Sequence, residues 1–398
     1  MEKTFAELGL EEKIVARLNE IGILTPTSVQ ESVIPVIARG DDAVFQSETG
    51  SGKTFAFLLP LLQRIDAAGG GVKIVIVSPT FELASQLKKA AASVTDLKCA
   101  LFIGGAPIKR QIEQLKERPA IVVGTPARLL ELVRLKKLKL GGASALVLDE
   151  ADRLFSKEIT DETVAFAECF GRDTQFIACS ATISAKTEKE FSAILKNARG
   201  EGAENSSSAK IMLPKESVLR DRIEHWAFFC ERRDKIDFLR RLIFALNEGR
   251  KNAEKGGERT CPKILVFTSR ADQVENIASK LKYKGVKCAF LHARSKNQER
   301  QNALASFKSG KTPILVTSDL SSRGLDIPDI EFVVQTDLPG DGDFFVHRAG
   351  RTARAGKRGV NIVIGDAYEL RSLSVIEKKL KIAIHPKELR GGKVEPIV

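Results

Sequence analysis

Short apolar runs rich in β-branched residues alternate along the chain with stretches that have the spacing of amphipathic helices. In the first half the runs cover residues 43–46, 73–78, 120–123, 145–149 and 175–179, and in the second half residues 225–230, 263–268, 313–318, 331–335 and 361–365. Runs of this length that end in polar or Gly/Pro turns predict strands, and their alternation with helices is typical of a parallel sheet. We therefore predict an α/β fold with a mostly parallel, helix-covered sheet in each half.

The chain is too long for one ordinary hydrophobic core. Its 398 residues suit two domains of roughly 150 to 200 residues each. The segment 200–210 (GEGAENSSSAK) is the most loop-like, and the second series of strands and helices starts soon after it. We predict a first domain over residues 1–213, a linker over 214–221 and a second domain over 222–398. The charged stretch 247–262 is predicted to be an exposed loop that follows a helix.

The net charge of +12 is distributed unevenly along the chain. Residues 1–221 hold 29 basic and 29 acidic residues, so the whole positive excess lies in residues 222–398. A basic half of this kind suits a polyanionic partner.

Neither a membrane span nor a disulfide framework is expected. No apolar run approaches the roughly 18 residues that a span needs, and the first residues lack the basic and apolar regions of a secretory signal. We therefore expect a cytoplasmic protein. The six cysteines form no CxxC pair and no Cys/His cluster at metal-ligand spacing. We expect reduced thiols, most of them buried, at Cys99, Cys169, Cys179, Cys230, Cys261 and Cys288.

A glycine-rich segment lies between the first predicted strand and the helical pattern after it. Backbone N–H groups of such a turn can face a phosphate, and the following helix N-terminus adds positive potential. Lys53 can reach the terminal phosphates of a nucleotide, and Thr54 can offer its hydroxyl to Mg²⁺. The candidate nucleotide-binding residues here are Ser47, Thr49, Gly50, Ser51, Gly52, Lys53 and Thr54.

An acidic pair follows a strand-like apolar run. Asp149 and Glu150 come at the end of residues 145–149, where a parallel strand delivers side chains to the ligand edge of its sheet. Asp149 can hold Mg²⁺ through water, and Glu150 can orient or deprotonate an attacking water. Together with the glycine-rich loop, the pair predicts nucleotide hydrolysis.

These two motifs, with Ser180-Ala181-Thr182 further along, resemble those of the DEAD-box RNA helicases. The resemblance extends from Phe5 to about residue 386, and it implies two tandem RecA-like domains with helices on both faces of each sheet. The segment 26–30 is similar to the adenine-reading motif of that family, which implies that Gln30 bonds the base edge and that Phe5 packs beside it. An amide offers the donor and the acceptor that distinguishing adenine from guanine requires.

The second half carries the same resemblance. Residues 323–326 resemble the motif whose Gly324 and Asp326 contact the nucleotide, and residues 347–354 resemble the motif that carries two arginine fingers, Arg351 and Arg354. Such arginines stabilise transition-state charge once the domains close. The resemblance further implies that interdomain coupling depends on Asp152, Ser180, Thr182 and His347.

The resemblance also implies a path for RNA that is recognised by its phosphates and sugars more than by its bases. The implied contacts are Pro79, Thr80, Gly104, Gly105, Thr125, Pro126 and Arg128 in the first domain, and Arg270, Arg294, Ser318 and Asp319 in the second.

Ser47 stands where the phosphate loop usually has Gly or Ala and should still fit, and four further positions depart from the family pattern. Ile23 replaces an aromatic residue beside the adenine, which predicts weaker ATP binding. Phe81 replaces an arginine, which removes a cation near the RNA path and predicts weaker RNA binding or more reliance on the basic second domain. Ala127 and Ala353 each replace a glycine, which matters if the backbone there needs a positive φ.

The resulting hypothesis is a monomeric RNA-dependent ATPase and helicase that takes ATP and Mg²⁺ and binds single-stranded or short duplex RNA with little sequence preference. Two alternatives stay open at this point. One is a DNA-directed helicase of a related two-domain class, and the other is an RNA-binding scaffold with a silenced ATP site.

Overall fold

The computed structural model describes residues 3–47, 51–65, 70–200, 209–212, 219, 222–253, 261–292, 295, 297–319, 327, 329–340, 342–353 and 357–397. The chain divides into two units, Met1–Lys215 and Glu216–Val398. Apart from Leu219, the predicted linker 214–221 lies outside the described residues, and its bounds stay a prediction.

The first unit is built on a parallel sheet that has seven strands within the described residues. The strands are β1 (Ala43–Gln46), β2 (Ile74–Val77), β3 (Cys99–Phe102), β4 (Ile121–Gly124), β5 (Ala145–Asp149), β6 (Gln175–Ser180) and β7 (Ala209–Met212). Their order in the sheet is β3-β4-β2-β5-β6-β1-β7. The helices are Glu12–Glu20, Ser28–Ala38, Lys53–Gln63, Phe81–Val94, Ile108–Lys116, Pro126–Arg134, Ala151–Leu154, Thr160–Ala167 and Ala185–Arg199.

Both faces of this sheet are buried. Phe45 and Ile76 pack on one face together with the helices that begin at Ser28 and Lys53. Their chain neighbours Val44 and Val75 pack on the other face, in a separate core cluster. Successive side chains of a strand point to opposite faces, so a strand covered on both sides is apolar throughout. This burial explains why continuous apolar runs located most of the strands.

The second unit also has a mostly parallel sheet, with eight strands within the described residues in the order β10-β11-β9-β12-β13-β8-β14-β15. The strands are β8 (Ile223–Phe229), β9 (Ile264–Thr268), β10 (Cys288–Leu291), β11 (Ile314–Ser318), β12 (Phe332–Gln335), β13 (Gly359–Gly365), β14 (Ile384–Arg390) and β15 (Lys393–Pro396). Only the pair β14 and β15 is antiparallel among the described pairings. The helices are Lys235–Ala253, Ala271–Tyr283, Asn297–Lys308, Gly342–Ala349 and Ala367–Leu380.

Several sequence-based expectations were wrong or incomplete. Strand β7 begins inside the segment 200–210 that was predicted to be a loop, because it completes its hydrogen bonds against β1. The helix Lys235–Ala253 continues into the predicted loop 247–262. Strands β3, β10, β14 and β15 were not predicted. In β3 and β10 the four-residue runs contain no β-branched residue, and β14 is rich in charge and contains a proline.

All six cysteines are free, but only three of them are buried, so the expectation of mostly buried thiols was only half right. Cys169 and Cys261 are exposed and Cys99 is half-buried. Within the described residues, no helix has both the length and the apolar character that a membrane crossing requires.

Candidate functional site

The carboxyl edge of the first sheet gathers the candidate nucleotide-binding residues. Strands β5, β6 and β1 are neighbours in the sheet. They end at Asp149, Ser180 and Gln46, and Ser47 follows directly. Parallel strands present the residues after their carboxyl ends at one edge, which is where ligands of open α/β sheets bind. The structure therefore brings the described residues of the glycine-rich loop and the acidic pair to the same edge of the sheet.

Lys53 is held over the loop that precedes its helix. Its Nζ donates a hydrogen bond to the carbonyl oxygen of Ser47 at 2.6 Å, and the hydroxyls of Ser47 and Ser51 lie 2.5 Å apart. Burial lowers the pKa of Lys53, an effect that the nearby Asp149 carboxylate opposes. Thr54 follows as the second residue of the helix. The predicted contacts Thr49 and Gly50 lie outside the described residues.

Gln30 and Gly52 lie against each other at the start of that helix. Gln30 Nε2 donates to the Gly52 carbonyl oxygen at 3.2 Å, and Gln30 Oε1 accepts from the Thr27 backbone N–H at 2.9 Å. The amide nitrogen keeps one N–H group and the amide oxygen keeps one lone pair for further hydrogen bonds, because an amide has two N–H groups and two acceptor lone pairs. The side chain is buried, as is Phe5. The amide is thus fixed in orientation, and these two bonds leave one N–H group and one acceptor lone pair unused.

The acidic pair has an unusual local geometry. Glu150 has φ 54°, in the left-handed region that non-glycine residues rarely adopt. Such strain persists only where the surroundings impose it, and it is concentrated at functional sites. Arg153 Nε lies 3.4 Å from Glu150 Oε2. Sequence reasoning missed Arg153, and its only signal was the spacing of three residues from an acid on a helix.

Asp149 is buried and accepts a hydrogen bond from the thiol of Cys179, with Sγ 3.1 Å from Oδ1. Burial, and next the charge of Glu150, raise the pKa of Asp149 to about 6, while Lys53 opposes the shift. Sequence reasoning treated Cys179 only as a core residue. Its contact could not have been predicted from spacing, because it depends on β5 and β6 being paired in register.

A polar contact links the helix after the acidic pair to the strand beside it. Thr182 Oγ1 donates to Asp152 Oδ2 at 2.8 Å. The hydroxyl of Ser180 is buried and has no hydrogen-bond partner among the described residues. The structure therefore joins Asp152 and Thr182 within the first unit, whereas the implied coupling to His347 stays a prediction.

The implied RNA contacts of the first unit lie at the other half of the same sheet edge. Pro79 and Thr80 follow β2, the pair Gly104 and Gly105 follows β3, and Thr125 and Pro126 follow β4. These three strands are neighbours. Arg128 is fixed by two contacts, from Nη1 to the Ala106 carbonyl oxygen at 3.0 Å and from Nε to Glu131 at 2.9 Å. The carboxyl edge of the first sheet therefore carries the candidate nucleotide-binding residues on one half and the implied RNA contacts on the other.

In the second unit the implied RNA contacts are again at carboxyl ends of strands. Arg270 follows β9 and pairs with Asp272 at 2.7 Å, and Ser318 ends β11.

Arg351 is buried, and its Nε donates to the His347 carbonyl oxygen at 3.3 Å. Arg294, Gly324, Asp326 and Arg354 lie outside the described residues.

Arg348 was not among the predicted site residues, although it lies in the segment 347–354. It is 1% exposed. Its Nε and Nη2 each lie 2.6 Å from a carboxylate oxygen of Asp319, Nη1 reaches the Asp337 carbonyl oxygen at 3.0 Å, and Nη2 reaches Ser269 Oγ at 2.8 Å. Arg348 therefore ties together the loops after β9, β11 and β12. Asp319, implied to contact RNA, serves this internal pair in the structure.

Comparison with known proteins decides the family. The chain matches the DEAD/DEAH box helicase model over residues 27–191 and the helicase conserved C-terminal domain model over residues 227–356. It is 33% identical over 369 residues to the DEAD-box ATP-dependent RNA helicase CshC of Bacillus cereus, with 92% of this chain and 88% of that protein covered. The chain belongs to the DEAD-box ATP-dependent RNA helicases.

Other members of the family are similar over nearly the whole chain. The probable ATP-dependent RNA helicase YfmL of Bacillus subtilis is 34% identical, with 95% of this chain and 94% of that protein covered. Among solved structures, Saccharomyces cerevisiae Dbp5 bound to RNA and ADP BeF3 has 26% identity and a TM-score of 0.82, with 96% of this chain and 95% of that chain covered. The predicted family and the tandem RecA-like fold class are confirmed.

The departures of this DEAD-box helicase from the family pattern have different structural consequences. Ala353 has φ 55°, so the missing glycine leaves an alanine in the left-handed region. Ala127 lies inside the helix Pro126–Arg134, where no positive φ is required. Ile23 packs against the first core cluster. Phe81 is the first residue of the helix Phe81–Val94 and is 37% exposed, next to Pro79 and Thr80.

Proposed function

We propose that this DEAD-box protein is an RNA-dependent ATPase that uses ATP hydrolysis to part short RNA duplexes or to remodel RNA–protein complexes. The observation that supports this most is the convergence of Lys53, Asp149 and Glu150 at the carboxyl edge of β1 and β5. The relatives CshC and YfmL are named as RNA helicases, and Dbp5 was solved with RNA and a nucleotide.

The residues of the first unit have distinct proposed roles. Lys53 neutralises the terminal phosphates of ATP, since it is the buried cation beside the loop. Gln30 reads the adenine edge with the hydrogen-bonding capacity that Thr27 and Gly52 leave unused. Glu150 orients the attacking water and takes its proton, and Arg153 Nε lies 3.4 Å from its carboxylate.

A magnesium ion fits the side chains at this edge. Asp149 is a buried carboxylate beside the loop, and Thr54 supplies a hydroxyl oxygen at the helix start. The described residues contain no group of three or more His, Cys, Asp or Glu that could hold a metal ion. Mg²⁺ commonly takes one or two protein oxygens and completes its shell with water and substrate phosphates. The ion would supply charge neutralisation at the phosphates.

The second unit is proposed to complete the site. Arg351 and Arg354 would stabilise charge on the transferring phosphoryl group, and Gly324 and Asp326 would contact the nucleotide. RNA would be held at the carboxyl edges by Thr80, Gly105 and Arg128 of the first unit and by Arg270 and Ser318 of the second. Contacts of this type recognise phosphate and ribose, so little sequence preference is expected.

We also propose that the protein works as a monomer in the cytoplasm. Cys169 and Cys261 are exposed and free. Exposed thiols of this kind persist in a reducing compartment.

Replacing Glu150 with Gln tests the proposal. We expect RNA-stimulated phosphate release to fall about 100-fold or more, while ATP and RNA still bind, because the amide keeps the shape but cannot accept a proton. Glu158→Gln, at an exposed carboxylate of the same unit, should leave the rate unchanged. The proposal is wrong if Glu150→Gln releases phosphate at the parent rate, or if DNA of equal length stimulates hydrolysis as well as RNA does.

A further inference from the structure

A basic cleft lies at the amino edge of the second sheet. It has a volume of about 980 Å³. Its lining includes the residues that lead into several neighbouring strands. We define the amino-edge cleft by Phe244, Lys263, Lys287, Lys308, Lys311 and Arg358, and its lining also includes Asp329, Glu331 and Arg351.

This cleft is separate from the RNA path of the proposed function. Arg270 and Ser318 lie at the carboxyl ends of β9 and β11, whereas Lys263 and Lys311 lie before the amino ends of the same strands. A strand of five residues is roughly 13 Å long. RNA held at the carboxyl ends therefore does not occupy the cleft, and the two surfaces can bind different segments of one molecule.

Positive charge in the cleft outweighs negative charge: among the described residues its lining has seven cations and two carboxylates, Asp329 and Glu331, and Asp329 pairs with Lys357. Lys287, Lys308, Lys311 and Arg358 are exposed, and none of these four forms an ion pair with any residue that the structure describes. Lys308 ends the helix Asn297–Lys308, where a cation also compensates the helix dipole. The other three stand outside helices and have no such role. The surplus of positive charge in residues 222–398 is thus partly concentrated on one concave surface.

An aromatic ring accompanies these cations. Phe244 is 47% exposed on the helix Lys235–Ala253, and the guanidinium of Arg240 lies 5.8 Å from the centre of its ring. Proteins that bind single-stranded nucleic acid without sequence preference combine cations, which contact the phosphate backbone, with exposed rings, on which the bases stack. An acidic peptide would use the cations but not the ring.

The spacing of the cations suits a nucleic acid strand. Lys287, Lys311, Lys263 and Arg358 precede β10, β11, β9 and β13, whereas the carboxylate Glu331 precedes β12, which lies between the last two strands. Adjacent strands are roughly 4.8 Å apart, so the row spans roughly 19 Å. With phosphates at least 3.4 Å apart along a strand, this is room for about three to five nucleotides.

We propose that the amino-edge cleft is a second RNA-binding surface, which holds a segment of the RNA away from the carboxyl edges. The inference rests on the proposed function. Binding there keeps a long RNA attached while the carboxyl edges release and rebind their segment, because a tethered strand has a high effective concentration. A short RNA whose nucleotides are all held at the carboxyl edges has none left for the cleft and gains nothing from it.

The test is the double variant Lys287→Glu/Lys311→Glu in the full chain. Anisotropy of labelled RNA and RNA-stimulated ATP hydrolysis are measured with an 8-nucleotide and a 40-nucleotide strand. We expect the half-saturating concentration of the long strand to rise about tenfold. The slope of log affinity against log salt should become shallower by about 1.4, the value for two phosphate contacts to a single strand. The short strand should behave as with the parent protein.

Two further variants sharpen the result. Lys378→Glu/Lys379→Glu makes the same change of charge at exposed positions of the helix Ala367–Leu380, and it should leave the long strand unaffected. Phe244→Ala should weaken long-strand binding about fivefold or more through lost stacking, with no change in salt dependence.

The proposal is overturned if the cleft variant binds the long strand as the Lys378/Lys379 variant does. It is also overturned if Phe244→Ala has no effect and inorganic polyphosphate competes as well as RNA, since the cleft would then be a general anion surface. Failure of the proposed function is a different result, namely the absence of ATPase stimulation by either strand. Anisotropy would still decide the role of the cleft in that case.

Discussion

Arg348 is bound by Asp319 through two parallel hydrogen bonds, each 2.6 Å long, in the interior of the second unit. The guanidinium also lies 5.5 Å from the centre of the Phe267 ring. A planar guanidinium can satisfy a carboxylate and a carbonyl oxygen at once, which a lysine could not do in the same geometry. This pair sets the relative positions of the loops that carry the implied RNA contacts.

Asp319→Asn should destabilise the second unit. The substitution leaves the buried Arg348 guanidinium with only the longer ion pair to the Asp337 carboxylate, at 3.3 Å, so we expect a loss of about 3 kcal/mol, the low end for a broken buried pair. Chemical unfolding followed by the fluorescence of Trp226 measures this effect, because Trp226 is the single tryptophan of the chain and lies in β8. Asp272→Asn, at the exposed pair with Arg270, is the control and should have no measurable effect. An equal effect of the two variants would contradict the structural role of Asp319.

Gly52→Ala should weaken ATP binding through two effects. Gly52 has φ 93°, and an added Cβ would lie 2.6 Å from Gln30 Nε2, so the amide would have to move. Strain of this kind costs about 1 to 3 kcal/mol, and we expect the half-saturating ATP concentration to rise about tenfold. Gly9 has φ 83° with open space around it. Gly9→Ala should therefore leave ATP affinity unchanged, and a similar loss in both variants would exclude a specific role of Gln30.

Cys179→Ala should raise the Mg²⁺ concentration that half-saturates ATP hydrolysis. The thiol of Cys179 orients the Asp149 carboxylate, and a net hydrogen bond contributes about 1 kcal/mol, so an increase of about fivefold is expected. Cys179→Ser should restore most of the effect. Cys288→Ala, at a buried thiol in the second unit, should not change the Mg²⁺ dependence. If it does, the effect is not specific to Asp149.

Phe81→Arg should strengthen RNA binding and steepen its salt dependence. Phe81 is exposed beside Pro79 and Thr80, where an added cation can meet a phosphate. One new phosphate contact changes the slope of log affinity against log salt by about 0.7 for a single strand. Phe229→Arg adds the same charge at another exposed ring and serves as control. An unchanged slope for Phe81→Arg would place this helix start away from the RNA.

Acid should destabilise the second unit through His225. Its Nε2 donates to the Leu219 carbonyl oxygen at 2.7 Å, and Asn361 Nδ2 lies 3.2 Å from Nδ1, so the neutral ring is satisfied. Burial lowers the pKa of His225 to about 4, against the opposing hydrogen bond to Leu219. Because the pKa of the unfolded state is about 6.5, the stabilisation is complete above that value and is lost as the pH falls towards 4.

The loss should reach about 3 kcal/mol at pH 4. Urea unfolding at pH 7.5, 6 and 5, followed by the fluorescence of the adjacent Trp226, measures it. In His225→Gln, which cannot titrate, the part of the pH dependence due to His225 should disappear. An unchanged pH profile in that variant would mean that other groups cause the acid sensitivity.

Much of the fold could be predicted from the sequence where burial was complete. Strand β5, for example, is buried at all five positions, so its apolar run was continuous. Strands that lie towards the edges escaped prediction. In β3 partly buried and buried positions alternate. This alternation weakens the apolar signal that distinguishes a strand from a loop.

The local chemistry of the nucleotide site was determined by the sequence alone. The glycine-rich turn between a strand and a helix can be recognised from residues adjacent in the sequence, because Lys53 and Thr54 stand at the helix start. The same holds for the pair Asp149 and Glu150 at a strand end. Only the tertiary structure decided which distant groups meet. The contact of Arg348 with Asp319 and the row of cations at the amino-edge cleft depend on the order in which parallel strands are placed in the sheet. Hydrophobic periodicity reports whether a residue is buried, but it carries no information about which strand becomes its neighbour.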